Sequence, residues 1–146
     1  MWSNAKAEIE KSGESSSIYI GCDSLCLGEY ANYCTVIILH RNSNNGCRVF
    51  HNSVKRREYG NMRTRLMTEV QLALEAFYEI EDVIGPRNLE IHLDINPNPR
   101  YGSNIAVAEA LGWVRSLGLT AKIKPEAFAA SACADHFVRR PYSLTG

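Results

Sequence analysis

Four acidic residues stand where a carboxylate is costly. Asp23 ends the apolar run Ile18-Tyr19-Ile20-Gly21-Cys22, and Asp94 ends the run Glu90-Ile91-His92-Leu93. Glu69 lies inside a long amphipathic segment, and Asp135 lies in the last helix-forming stretch. Carboxylates beside strand cores are expensive to desolvate. One shared hard cation, Mg²⁺ or Mn²⁺, accounts for several of them at once, because such ions take oxygen ligands. Two ions ~3.5–4 Å apart on such a cluster are the apparatus of phosphodiester cleavage. Each acid also has a plainer reading taken singly. Asp23 caps a turn ahead of Ser24, Glu69 sits solvated at a helix border, Asp94 bonds the following turn, and Asp135 faces water.

The elements that must position these residues follow from hydrophobic periodicity. Residues 1–16 are polar and read as a flexible leader ahead of a single domain over 17–146. Ile18 to Cys22 alternates as a strand. Tyr33 to His40 and Arg48 to Val54 read as two more, joined by the hairpin turn Asn42-Ser43-Asn44-Asn45-Gly46. The period then changes. Leu66, Val70, Leu74 and Phe77 share a helical stripe from about Met62 to Ile80, ended near Gly85-Pro86. Leu89 to Ile95 is a fourth strand before the turn Asn96-Pro97-Asn98-Pro99. Val107, Ala110, Leu111, Val114 and Leu117 face one side of a second helix that Gly118 ends. Leu119 to Ile123 is a short fifth strand, and about Ala129 to Arg140 a third helix. The order is βββαβαβα. Short links make the first three strands antiparallel, and right-handed crossovers make the rest parallel. The expectation is an α/β mixed five-stranded sheet with flanking helices. If the first and fourth strands are parallel neighbours, Asp23 and Asp94 meet where ligands favour open α/β sheets.

Lys55-Arg56-Arg57 followed by Arg63 and Arg65 leads into the helix carrying Glu69. Helix N-termini attract phosphate, and Arg and Lys add charge-assisted bonds to its oxygens. These five are the candidate nucleic-acid contacts, with a solvated basic loop as the plain alternative. Auxiliary candidates beside the acids are Ser24, His92, which shares a strand face with Asp94, and Asn96. For His92 a satisfied core position is the commoner reading.

Composition bounds the partners. Lys plus Arg number 16 and Asp plus Glu 16, so no whole-molecule field draws in nucleic acid and any such contact must be local. No apolar stretch is long enough to span a bilayer, and no signal-peptide pattern opens the chain. Cys22, Cys26, Cys34, Cys47 and Cys133 form no Cys-x-x-Cys pair, which argues against a zinc ribbon. Cys22 and Cys34 read as small core residues, and the expectation is a reduced, cytoplasmic protein.

The pattern Asp, Glu, Asp, Asp on strand one, helix one, strand four and the last helix resembles ribonuclease H. Thr68-Glu69-Val70-Gln71-Leu72 is similar to that superfamily's helix motif, and Ala134-Asp135-His136-Phe137 to its final motif. The chain is most similar to the YkuK-like family, a poorly characterised bacterial branch. The similarity is carried by Ile18 to Ser24, Arg63 to Val70, Ile91 to Pro99 and Ile123 to Ser131. It implies the three-layer ribonuclease H-like fold and a Mg²⁺- or Mn²⁺-dependent nuclease acting on RNA or DNA through Asp23, Glu69, Asp94 and Asp135. The chain departs from the pattern in three places. It has Asp23-Ser24-Leu25 where proofreading exonucleases have Asp-x-Glu. It has no His between Ile123 and Asp135, so His136 is the candidate for that role. It also lacks the basic substrate-handling insertion. The first departure argues against the exonuclease branch. The other two, with the neutral charge, support the alternative of a non-catalytic nucleic-acid or protein binding module. A phosphatase of small phosphate esters using the same metals is the third reading.

Overall fold

The computed structural model describes residues 1–41, 46–57, 61–96 and 104–139. Five strands form one sheet in the order β3-β2-β1-β4-β5: β1 (Ser17–Leu27), β2 (Tyr30–His40), β3 (Cys47–Arg57), β4 (Asn88–Leu93) and β5 (Thr120–Lys122). The β1–β2 and β2–β3 pairs are antiparallel, and the β1–β4 and β4–β5 pairs are parallel. The expected mixed sheet is therefore present, with the first and fourth strands as parallel neighbours.

Helices cover both faces. On one face lie α1 (Ser3–Lys11), α2 (Met62–Ile84) and α3 (Asn104–Ser116), packed on Ile18, Ile20, Cys22, Tyr33, Ile37 and Leu39. The start of α2 is set by Asn61, whose side chain accepts from Thr64 N at 3.0 Å and satisfies a free helix-end donor. Val70, Ala73, Phe77, Ile80 and Ile84 then bury at helical spacing against the sheet. On the other face, Cys34, Val36 and Ile38 meet Ala129, Ala134 and Val138 of the terminal helix. That helix opens as a π-helical stretch (Ala129–Ala134) and continues as α4 (Asp135–Arg139).

Several expectations change. Residues 1–16 are not a loose leader throughout. They contain α1, whose Ala5 and Ile9 are buried together with Trp2 in the larger core. Positions 2, 5 and 9 are one helical stripe, so a mostly polar segment still docks. The first strand does not stop at Asp23. It runs on to Leu27, because β2 continues to pair with it as far as Leu27↔Tyr30. Only the parallel partner stops, at Cys22↔Leu93. Lys55-Arg56-Arg57 is strand, not loop: it pairs with Asn32, Ala31 and Tyr30. The last helix begins with π rather than α geometry. Positions 42–45 of the hairpin turn, 97–99 of the Asn-Pro turn, and Arg140 with Pro141 lie outside the described residues. No helix among the described residues is long and apolar enough to cross a membrane.

Candidate active site

The parallel ladder ends at Cys22 and Leu93, so Asp23 and Asp94 are the next residues on adjacent chains. Side chains alternate along β1, and this divides the labour between neighbours. Ser24 turns towards α2, where its Oγ donates to Glu69 Oε2 at 2.5 Å. Asp23 turns towards the terminal helix, where its carboxyl hydrogen-bonds that of Asp135. Helices on opposite faces thus deliver Glu69 and Asp135 to the same strand end. Asp23, Glu69 and Asp94 line one cavity of about 300 Å³ with Arg63, Arg65 and Lys124. Asp135 is not part of that lining and contacts the cluster through Asp23.

Electrostatics follow from this crowding. Burial, the Asp135 carboxyl and the charges of Glu69 and Asp94 push Asp23 up to about 8. Burial, and then the charge of Asp94, push Glu69 up to about 8 against the opposing Ser24 hydrogen bond and Arg65 charge. Burial also raises Asp135, but the Asp23 hydrogen bond and the Arg139 guanidinium outweigh it and hold that carboxyl below its ordinary value. Two touching carboxyls repel when both are ionised, so the Asp23–Asp135 contact favours one shared proton.

Two cations already stand against the acids. Lys124 Nζ lies 3.0 Å from Asp94 Oδ1, and Arg139 Nε lies 2.8 Å from Asp135 Oδ1. The Lys124 contact is within ion-pair distance, yet Asp94 Oδ1 is buried without a hydrogen-bond partner. The ammonium is thus close but off the hydrogen-bonding direction, and the oxygen keeps a lone pair to offer. Among the described residues, no group of three or more His, Cys, Asp or Glu side chains is set to hold a metal ion. The donor chemistry nevertheless fits a hard divalent cation. The cluster is all oxygen, two of its members are driven towards protonation, and Asp94 Oδ1 lacks a donor.

The other expected residues separate. Asn96 lines the cavity. His92 does not enter it. It is fully buried, accepts from Ala129 N at Nδ1 (3.1 Å) and donates from Nε2 to Glu90 Oε1 (2.9 Å). It is a satisfied core residue that ties the terminal helix to β4. His136 is exposed and packs edge-on to Phe137, 5.3 Å between centroids. The basic cluster divides. Arg63 and Arg65 line the cavity, where Arg63 pairs with Glu109 and Arg65 Nη1 lies 2.9 Å from Cys26 Sγ. Lys55 and Arg57 stack over Tyr30 at the far end of β3, and Arg57 also pairs with Glu29. Arg56 alternates to the opposite face from Lys55 and Arg57. Sequence reasoning passed over Lys124. Its signal was a charged residue just past the fifth strand and before the segment leading to Asp135.

A family model described as "Ribonuclease H-like" matches residues 1–139. The chain is similar to the uncharacterized protein YkuK of Bacillus subtilis (strain 168), 26% identical over 150 residues that cover 92% of this chain and 86% of that one. Among solved structures it is similar to RNase H1 from the halophilic archaeon Halobacterium salinarum NRC-1, at 15% identity and a TM-score of 0.47, covering 86% of this chain and 98% of that one. It is also similar to the prototype foamy virus protease-reverse transcriptase, at 11% identity and a TM-score of 0.45, covering 90% of this chain and 21% of that one.

Proposed function

Because the chain belongs to the ribonuclease H-like family, we propose that it is a divalent-metal-dependent nuclease hydrolysing phosphodiester bonds in RNA or DNA. The observation that carries this reading is the gathering of Asp23, Glu69 and Asp94 around one cavity, with Asp135 bonded behind Asp23. Asp23, Glu69, Asp94 and Asp135 are the residues that would hold Mg²⁺ or Mn²⁺. The cation would supply the Lewis acidity and the lowered water pKa that hydrolysis needs. The chain's own groups do the rest. Ser24 orients the Glu69 carboxylate. Asp23, bonded to Asp135, would bring both carboxyls to the cation. Arg63 and Arg65, in the first turns of α2 and lining the cavity, would hold phosphate oxygens beside the acids, contacts that position a strand without reading its sequence.

A second reading, a non-catalytic nucleic-acid binding module, is favoured by one specific observation: Lys124 and Arg139 already neutralise Asp94 and Asp135. The deciding experiment is a cleavage assay on labelled single-stranded RNA, single-stranded DNA, duplexes and a hybrid, with Mg²⁺, Mn²⁺ or Ca²⁺. The nuclease reading expects cleavage of at least one substrate with Mg²⁺ or Mn²⁺, abolished by chelator and by Asp94→Asn. It expects little with Ca²⁺, which takes more ligands at longer distances. Binding without cleavage on every substrate supports the module. Hydrolysis of p-nitrophenyl phosphate alone supports a small-ester phosphatase.

A further inference from the structure

Lys124 stands within the acidic cluster. Its backbone N–H donates to Ile95 O at 3.0 Å, which anchors it beside the residue that follows Asp94. Its ammonium lies 3.0 Å from Asp94 Oδ1, and its charge also acts on Asp135. It lines the same cavity as Asp23 and Glu69. One ammonium therefore serves carboxylates from two different elements, in the region a cation shared by the four acids must enter. Two cations on one carboxylate repel strongly at such separations. The lysine is not locked there. Its contact with Asp94 has no hydrogen bond, its side chain is 42% exposed, and an ammonium on a flexible four-carbon stem re-aims easily. It shares the cavity with Arg63 and Arg65.

We propose that Lys124 competes with a divalent cation for Asp94 and, once displaced, binds a phosphate oxygen of the nucleic acid. The second half rests on the nuclease reading given above; the first rests only on the cluster. The lysine then couples the two events. Cation entry frees a positive charge beside the cavity, and a bound phosphate keeps that charge off Asp94. Metal and nucleic acid each favour the other's binding, because both act on one side chain with two positions.

The test is calorimetric titration with MnCl₂, without nucleic acid, of wild type, Lys124→Ala, Lys124→Gln, Lys124→Arg and Asp23→Asn, each checked for folding by thermal melting. The proposal expects Lys124→Ala and Lys124→Gln to bind Mn²⁺ at least about tenfold more tightly than wild type, since the repelling charge is gone. Lys124→Arg keeps the charge and should stay within about threefold of wild type. Asp23→Asn should lose binding. In parallel, with Ca²⁺ present, Lys124→Ala should weaken binding of a fluorescent oligonucleotide and lower the slope of log K against log salt by about one. Unchanged or weaker Mn²⁺ binding in the Ala and Gln variants overturns the competition, and the nuclease reading survives if Asp23→Asn still loses the ion. No Mn²⁺ binding in any protein, or full binding by Asp23→Asn, overturns both. Tighter Mn²⁺ binding with no nucleic acid bound or cleaved keeps the competition and removes the nuclease. An unchanged salt slope removes the phosphate role.

Discussion

Asp23 is the residue on which the site turns, because its carboxyl bonds Asp135 and also feels the charges of Glu69 and Asp94. Its carboxyl and that of Glu69 are each raised to about 8 from ordinary values of 3.8 and 4.5. Folding therefore favours their protonated forms. The stability this gives is fully present below about pH 4 and is lost as pH rises through about 8. Asp135 works the other way but only in the acidic range, since its value is depressed. In chelator, the melting temperature should fall between pH 5 and pH 8.5. Asp23→Asn should flatten that fall, and Mn²⁺ at pH 8 should restore much of it. Thermal melts across pH check this, and a melting temperature that climbs steadily to pH 8.5 in chelator would contradict it. Much at this scale was legible in the sequence. Apolar runs that close on Asp23 and Asp94 marked two of the four acids, since a carboxylate cannot sit in a strand core without purpose. Glu69, at the border of its stripe, left burial and exposure equally open. The Ser24 hydrogen bond that holds it lies 45 positions away in sequence, and no local pattern reports it.

At the scale of elements, the terminal helix has to lie close to β1 for Asp135 to reach Asp23. Gly21 makes that possible. A Cβ there would come 2.6 Å from Ala130 N and 2.7 Å from the Ala129 carbonyl carbon. These are backbone atoms, which cannot swing aside. Gly21→Ala should therefore destabilise the protein by about 1–3 kcal/mol, the usual range for overpacking a tight interior, as read by urea denaturation. The same variant should weaken Mn²⁺ binding by shifting Asp135. An unchanged midpoint would show that the helix relaxes freely. His92 holds the other edge of this contact. Replacing it with Leu leaves the buried Ala129 N–H without its acceptor, at a cost of about 1–3 kcal/mol. The sheet and the two long helices were legible because their periods are local. The π-helical stretch was not, because it answers to a close approach between distant segments. Nor was α1, whose buried Ala5 and Ile9, with Trp2 just before them, are diluted by polar neighbours and declare themselves only when docked. Asp23 was expected at a strand end. In fact only its parallel neighbour ends there, a distinction set by the β1–β2 hairpin.

Over the whole molecule, charge is balanced, with 16 basic and 16 acidic residues, so nucleic acid must be gathered by local patches. Five of the basic residues divide between the cavity, with Arg63, Arg65 and Lys124, and the far end of β3, with Lys55 and Arg57 over Tyr30. Arg63→Ala and Arg57→Ala should each lower the salt slope of oligonucleotide binding by about one if each meets one phosphate. If only Arg63→Ala does so, the β3 end lies off the path of the strand, and filter binding across a salt series distinguishes the two. Neutral overall charge made the need for a local patch legible in advance. The division of the patch was not, because Lys55 to Arg57 proved to be strand rather than loop. Where a divalent ion binds is measured directly by anomalous X-ray diffraction from crystals soaked in MnCl₂. A manganese peak is expected among the carboxylates of Asp23, Glu69, Asp94 and Asp135, with the Lys124 ammonium moved away from Asp94. A peak elsewhere, or none at Mn²⁺ concentrations that saturate binding in solution, would contradict that placement.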